Sequence, residues 1–245
     1  MNSIISSDRD PDGEKTLQVI SKAGKFNEWM YKTISPFCSG KILEIGSGIG
    51  NISAFFIRDG KTLTLSDLRS FYFGELNQKF GSFPNLERTI ILDLVEKNFR
   101  EKFADYEGYF DTIFALNVVE HIEDDSQAIM NCRFMLKPGG IIVILVPAYQ
   151  KLYNQFDKNL GHFRRYTKTS LQQLISGNGF EIVHKQYFNL AGILGWFVSG
   201  KILGKQTIPE GQMGLYNALV PVFRIIDKLI LNKAGLSVIV AGKAI

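Results

Sequence analysis

Gly46, Gly48 and Gly50 stand at alternate positions in Leu43-Glu44-Ile45-Gly46-Ser47-Gly48-Ile49-Gly50-Asn51, with the carboxylate of Glu44 two residues ahead of the first. Glycine lets a backbone bend sharply and lets a ligand come close without meeting a Cβ, and the N-terminus of a following helix offers free N–H groups. Dinucleotide turns use G-x-G-x-x-G, whereas the spacing here is G-x-G-x-G. A pyrophosphate would be repelled by the Glu44 carboxylate; a ligand carrying an amino group and a sulfonium would be attracted by it. Asp67, followed by Leu68, lies about 20 residues on, where an acid accepts hydrogen bonds from ribose hydroxyls. Asp93 closes the run Ile91-Leu92-Asp93-Leu94, a position from which a carboxylate can meet an exocyclic amine.

A second group of residues could move protons. His121 ends Asn117-Val118-Val119-Glu120-His121, and His162 sits in Asp157-Lys158-Asn159-Leu160-Gly161-His162-Phe163-Arg164-Arg165-Tyr166. Imidazoles titrate near neutrality, so His121 and His162 are the candidate bases for a hydroxyl or a protonated amine. Arg164 and Arg165, with Tyr149, Tyr153 and Tyr166, compose a pocket for an anionic or sugar-like acceptor, because a guanidinium fork matches carboxylate or phosphate. The plainer alternatives are a helix-start role for His121, solvated Arg164 and Arg165, and Tyr166 capping the next helix. Two cysteines, Cys38 and Cys132, both expected inside helices, cannot make a disulfide framework or a four-ligand zinc site, and no metal is expected.

Short apolar runs alternating with longer mixed stretches must position these groups. Strands are expected at Ile42 to Ile45, Thr62 to Ser66, Glu87 to Leu92, Phe110 to Leu116, Gly140 to Val146, Phe180 to Tyr187 and Leu236 to Ala244. Helices are expected at Gly50 to Asp59, Glu75 to Phe80, Asp125 to Leu136 and Ser170 to Asn178, with Lys137-Pro138-Gly139-Gly140 stopping the third. The pattern predicts an α/β fold with a doubly wound, mostly parallel sheet and a ligand crevice at the carboxyl ends of its strands. Between the last two strands, residues 188–235 are too long for a loop without structure and read as a helical insertion. One domain over residues 1–245 is expected, with a helical cap (1–40), a cofactor-binding core (41–149) and a substrate-side segment carrying the insertion and last strands (150–245).

Together these motifs resemble the class I S-adenosylmethionine-dependent methyltransferases. The likeness is carried by the glycine turn, Asp67, Asp93-Leu94, Phe110-Asp111-Thr112-Ile113 leading into Asn117-Val118-Val119-Glu120-His121-Ile122, and Leu136-Lys137-Pro138-Gly139-Gly140, and spans Phe26 to Pro147. It implies seven strands in the order 3-2-1-4-5-7-6, S-adenosyl-L-methionine as cofactor and S-adenosyl-L-homocysteine as product. It further implies that Gly46, Ser47, Gly48 and Gly50 meet the methionine part, with Glu44 orienting the turn or the amino group. Asp67 and Leu68 would hold the ribose, Asp93 and Leu94 the adenine, and Asn117 and Val118 would line the floor beside the methyl group. Upstream, Asn27 or Tyr31 would reach the cofactor carboxylate, while Phe26, Trp29 and Met30 form a core stripe. The segment around His162 also resembles one in bacterial methyltransferases linked with glycan or surface-polysaccharide synthesis.

The net charge of +4 conceals an imbalance. Residues 1–149 hold 16 Lys and Arg against 20 Asp and Glu, whereas residues 150–245 hold 12 against 4. The second part is therefore expected to meet something anionic, unless the charge is only a solvated face. No apolar run reaches the roughly 18 residues of a spanning helix, and the polar start lacks the features of a secretory signal, so a cytoplasmic enzyme is expected. The apolar stretches Tyr187 to Gly204 and Gly214 to Leu231, bordered by Lys201, Lys205, Arg224, Lys228 and Lys233, suit a lid, a dimer face or contact with an anionic membrane. The favoured function is methyl transfer to oxygen or nitrogen of a small acceptor that is anionic, glycan-related or lipid-linked. An RNA methyltransferase, a non-catalytic cofactor-binding protein and a nicotinamide dehydrogenase remain as alternatives, although no separate RNA-binding module is evident.

Overall fold

The computed structural model describes residues 11–197 and 210–245. Gly200, Lys201, Gly204 and Lys205 of the expected insertion lie outside the described residues. The strands are β1 (Ile42–Ile45), β2 (Leu63–Asp67), β3 (Leu86–Ile91), β4 (Phe110–Leu116), β5 (Leu136–Pro147), β6 (Phe180–Phe188) and β7 (Ser237–Ala244). They form one seven-stranded sheet in the order β3-β2-β1-β4-β5-β7-β6, as expected. All neighbours are parallel except β7, which runs antiparallel to both β5 and β6.

Helices α1 (Pro11–Ser21) and α2 (Gly24–Ile34) precede the sheet; α3 (Ser53–Arg58), α4 (Ser70–Phe80), α5 (Phe99–Lys102) and α6 (Asp125–Met135) follow the first four strands. After β5 come α7 (Gln155–Asn159) and α8 (Lys168–Gly177), and the insertion between β6 and β7 supplies α9 (Leu190–Trp196) and α10 (Glu210–Leu229). Successive strand side chains point to opposite faces, which divides the core in two. Leu43, Ile45, Ile113, Ile142 and Ile144 pack with α6 and α8 residues on one face; Ile42, Leu65, Phe114 and Val143 pack with Trp29, Ile34 and Phe56 on the other. Trp29 and Met30 are buried, as the helical spacing predicts.

Several boundaries differ from expectation for local reasons. The helix after β1 begins at Ser53 rather than Gly50, because Gly50 takes φ +76°, outside the helical region. Strand β5 extends back through Pro138 and Gly139: Leu136 pairs with Phe110 and Ile141 with Thr112, so the intervening residues bulge out of register. Cys132 lies in α6 as expected, but Cys38 follows a short 3-10 turn, Ser35–Phe37, in extended conformation.

At the centre of the sheet Ile45 of β1 is paired with Ala115 of β4. The strand order reverses there, so the chain leaving β1 and the chain leaving β4 turn to opposite faces and leave a crevice between them. Helix α3 fixes one wall through Phe56, which is fully buried and stacked on Phe114 at 4.9 Å between ring centroids. Phe56→Ala is expected to cost about 3–5 kcal/mol of unfolding free energy, measured by urea denaturation, because the cavity beneath the sheet cannot collapse.

Candidate functional site

The turn after β1 has left-handed backbone at Gly46 (φ +68°) and Gly48 (φ +52°). A Cβ on Gly46 would stand 2.5 Å from Cγ2 of Val118, and one on Gly48 would stand 2.8 Å from a methyl of Leu17 on α1. The β4 loop and α1 thus close onto the two sides of the turn. Ser47 is spent on the scaffold: its N–H donates to the Ser66 carbonyl at 2.8 Å and its hydroxyl accepts from the Ser66 N–H at 3.2 Å.

Two carboxylates lie under this turn. Glu44 is buried and accepts from the Ser53 hydroxyl at the start of α3; burial pushes its carboxyl up to about 8. Its placement serves the turn and the helix start, one of the two roles expected for it. Asp67 accepts from the Gly48 N–H at 2.9 Å and from the Arg69 N–H at 3.0 Å, tying the end of β2 to the glycine turn. Burial raises the Asp67 carboxyl above its usual range. Beyond it, Leu68 is 58% exposed and free to cover a ligand. Asp93 accepts from the Val95 N–H at 2.9 Å, and Val95 is itself exposed. Leu94 is buried in the core, so its backbone rather than its side chain borders the crevice.

The upstream residues are differently employed. The Tyr31 hydroxyl donates to Asp59 at the end of α3, and Asn27 donates to the Ile20 carbonyl while its Oδ1 is buried without a partner. These bonds tie α1 to α2 and α2 to α3.

The loop after β4 carries the second group. Asn117 is exposed with φ 55°, and Val118 packs on Gly46, which sets the following Glu120 and His121 close to the turn. His121 and His162 meet edge to face at 4.6 Å between ring centroids. His162 Nδ1 lies 2.8 Å from Oδ1 of Asp157, which also accepts from Arg165 Nε at 2.7 Å. Burial alone would raise the Asp157 carboxyl, but the His162 and Arg165 bonds outweigh it and hold Asp157 below the usual range. Glu120 is fully buried with neither carboxylate oxygen hydrogen-bonded, and burial pushes it up to about 8. Glu120, His121 and His162 each offer a ligating atom, all within 4.8 Å of one another, close enough to hold a divalent cation.

A family model described as a methyltransferase domain matches residues 23–185. The chain belongs to that family. Among curated relatives, a ubiquinone biosynthesis O-methyltransferase from Escherichia coli O127:H6 is 29% identical over 100 residues, 41% of this chain and 40% of the relative. The chain therefore spans well under half of that relative's length. Among solved structures, a Haemonchus contortus phosphoethanolamine N-methyltransferase 2, complexed with phosphomonomethylethanolamine and S-adenosylhomocysteine, superposes with TM-score 0.60 and 15% identity, covering 92% of this chain and 56% of that one. An S-adenosylmethionine-dependent methyltransferase from Archaeoglobus fulgidus superposes with TM-score 0.55 and 16% identity, covering 89% and 94%. At these identities the structural likeness is one of fold.

Several residues expected to face substrate bond to the protein itself. Arg164 donates to Asp125 at 2.9 Å and to the Glu123 carbonyl at 2.7 Å; Arg165 is buried on Asp157 and the Ala148 carbonyl. Tyr166 donates to Asp125 at 2.7 Å, and Thr167, not Tyr166, caps α8. Tyr153 donates to the His162 carbonyl at 2.7 Å, and Tyr149 stacks on Tyr187 at 4.9 Å. Acceptors at the start of α6 (Asp125 and the Glu123 carbonyl) and on the segment after β5 (Asp157 and the Ala148 and His162 carbonyls) take the nearest guanidinium and phenol donors. Asp157 and Glu120 carry the electrostatics here, yet neither was expected to have a role. Their signals were the acid five residues before His162 and the acid adjoining His121.

Two outcomes test this geometry. Gly46→Ala is expected to weaken S-adenosylhomocysteine binding about tenfold or more by calorimetry, since it adds left-handed strain to the Val118 clash, and Val118→Ala in the same chain recovers the clash component. For Glu120, a folded-state carboxyl near 8 means stability that is complete below the ordinary carboxylate range and lost as pH rises through about 8. Melting temperatures of Glu120→Gln should track the wild type near pH 5 and exceed it near pH 9.

Proposed function

We propose that this enzyme transfers a methyl group from S-adenosyl-L-methionine to an oxygen or nitrogen of a small acceptor, with His162 as general base. The cofactor is S-adenosyl-L-methionine and the product S-adenosyl-L-homocysteine. Gly46 and Gly48 would admit the methionine part, Asp67 and the exposed Leu68 the ribose, and Asp93 with Leu94 the adenine. The buried Asp67 carboxyl, which accepts from the backbone N–H groups of Gly48 and Arg69, lies at this turn and suits a cationic ligand. The cofactor supplies an electrophilic methyl: the acceptor atom forms a bond to carbon as the carbon–sulfur bond breaks, and sulfur keeps the electron pair.

The observation that carries the assignment of the base is the Asp157–His162 pair. With Asp157 on Nδ1, the ring keeps its proton there and leaves Nε2 as the free lone pair, the arrangement a general base requires. Val118 touches Gly46, and the His121 N–H donates to the Val118 carbonyl, so His121 follows directly from the loop that floors the turn, while the Phe163 N–H, donating to the Glu120 carbonyl at 2.8 Å, joins the His162 segment to it. His121, exposed at the lip, would pass the proton on to solvent; exposed Asn117 and Phe163 complete the mouth. Oxygen and nitrogen acceptors are supported by the names of the ubiquinone and phosphoethanolamine enzymes. An anionic acceptor is supported by the basic second part of the chain, and a glycan-related one by the resemblance of the His162 segment.

A labelled-methyl assay on fractionated cell extract identifies the acceptor, and two variants test the base. His162→Gln should lower kcat about a hundredfold or more, with S-adenosylhomocysteine affinity within about twofold. Asp157→Asn should lower kcat comparably by releasing the ring tautomer. Wild-type turnover in His162→Gln refutes the assignment. Loss of activity on chelation, restored by a divalent cation, would instead make the three donors metal ligands.

A further inference from the structure

Helix α10 presents to solvent the kind of face that helices normally bury. Of its nine exposed positions from Gly214 to Leu229, only Lys228 is charged. Leu215 is 66% exposed, Val222 51%, Ile225 59% and Leu229 77%, and Leu231 just beyond the helix is 71% exposed. The spacing of Leu215, Leu219, Val222, Ile225 and Leu229 keeps them on one stripe. The helix cannot roll this stripe inward, because its other side is fixed by specific bonds. Asn217 Oδ1 accepts from the N–H groups of Lys25 and Phe26 at the start of α2, and buried Asp227 accepts from those of Asn189 and Leu190 at the start of α9. Tyr216 and Phe223 pack between these ties, with ring centroids 5.0 Å apart.

The charge around the stripe selects its partner. Exposed Lys228, and Lys233 just beyond the helix, lie beside it, and residues 150–245 contain only four acids. Of these, Asp157 and Asp227 are buried inside hydrogen-bonded sites, so neither offsets the surface cations. An apolar stripe edged by exposed lysines complements a bilayer with anionic headgroups, into which the leucines enter while the lysines stay at the phosphate level. Among the described residues no helix is long and apolar enough to cross a membrane, so the contact would be with one leaflet.

We propose that the exposed face of α10 docks this enzyme on an anionic membrane surface. Docking there brings α9 to the bilayer together with the segment holding His162. Trp196 of α9 donates to the Leu152 carbonyl at 3.2 Å, packs on Phe156 and lies under the Arg165 guanidinium. The inference concerns the surface alone and stands whether or not His162 is the base.

Co-sedimentation of the full chain with vesicles tests it, using equal parts phosphatidylglycerol and phosphatidylcholine against phosphatidylcholine alone. Binding to the anionic vesicles is expected to be at least about tenfold stronger and to weaken at high salt. Val222→Glu, and separately Lys228→Glu with Lys233→Glu, should each reduce that binding about tenfold while S-adenosylhomocysteine affinity and the melting temperature hold, which excludes misfolding. Equal sedimentation with both vesicle types, or binding indifferent to Val222→Glu, overturns the proposal. So does a dimer by light scattering that Val222→Glu dissociates, since a second copy would then cover the stripe.

Discussion

The bend after β1 is the constraint on which the rest of this methyltransferase depends. Its backbone is left-handed at Gly46 and Gly48, and Val118 and Leu17 occupy the space where side chains would otherwise be. One turn therefore fixes three things at once: how closely the β4 loop can approach, where α1 lies, and where a ligand can touch bare backbone. Asp67 reinforces it by joining the end of β2 to the Gly48 N–H, so the first two crossovers of the sheet are tied at their carboxyl ends.

A second constraint governs the segment after β5. Asp157 is buried, and a buried carboxylate persists only when its oxygens are satisfied. His162 and Arg165 both bond to its Oδ1, and the Asn154 N–H bonds to the other oxygen. Arg165 thereby supplies charge to Asp157, and His162 gains a defined tautomer. Glu120, by contrast, has no such partner, and burial keeps its proton on. Two acids a short way apart in the fold are thus held in opposite states by their surroundings, one stripped of its proton and one retaining it.

The insertion between β6 and β7 shows how far burial can be decided away from the helix itself. α10 is apolar around most of its circumference, and its orientation is set by Asn217 and Asp227, which cap two other helices. Those caps satisfy backbone N–H groups that would otherwise lie buried without acceptors, and they leave the leucine stripe outward.

Much of this protein was legible in its residues. The strands and the crevice follow from apolar runs and glycine spacing, because a parallel sheet buried on both faces needs continuous apolar strands and each crossover needs its turn, while the strand order was implied by the resemblance to the class I methyltransferases. The glycine turn and its neighbouring acids, Glu44 and Asp67, are local features, so sequence alone identified them. What it left open was the direction of long polar side chains. Arg164, Arg165 and Tyr166 look like substrate donors in sequence, yet each is claimed by a carboxylate or carbonyl brought near only by folding. Glu120 and Asp157 look like ordinary surface acids and become buried for the same reason. Spacing along a chain fixes which backbone positions can bend; only the packed structure decides which polar groups lose water, and therefore which of them must find each other.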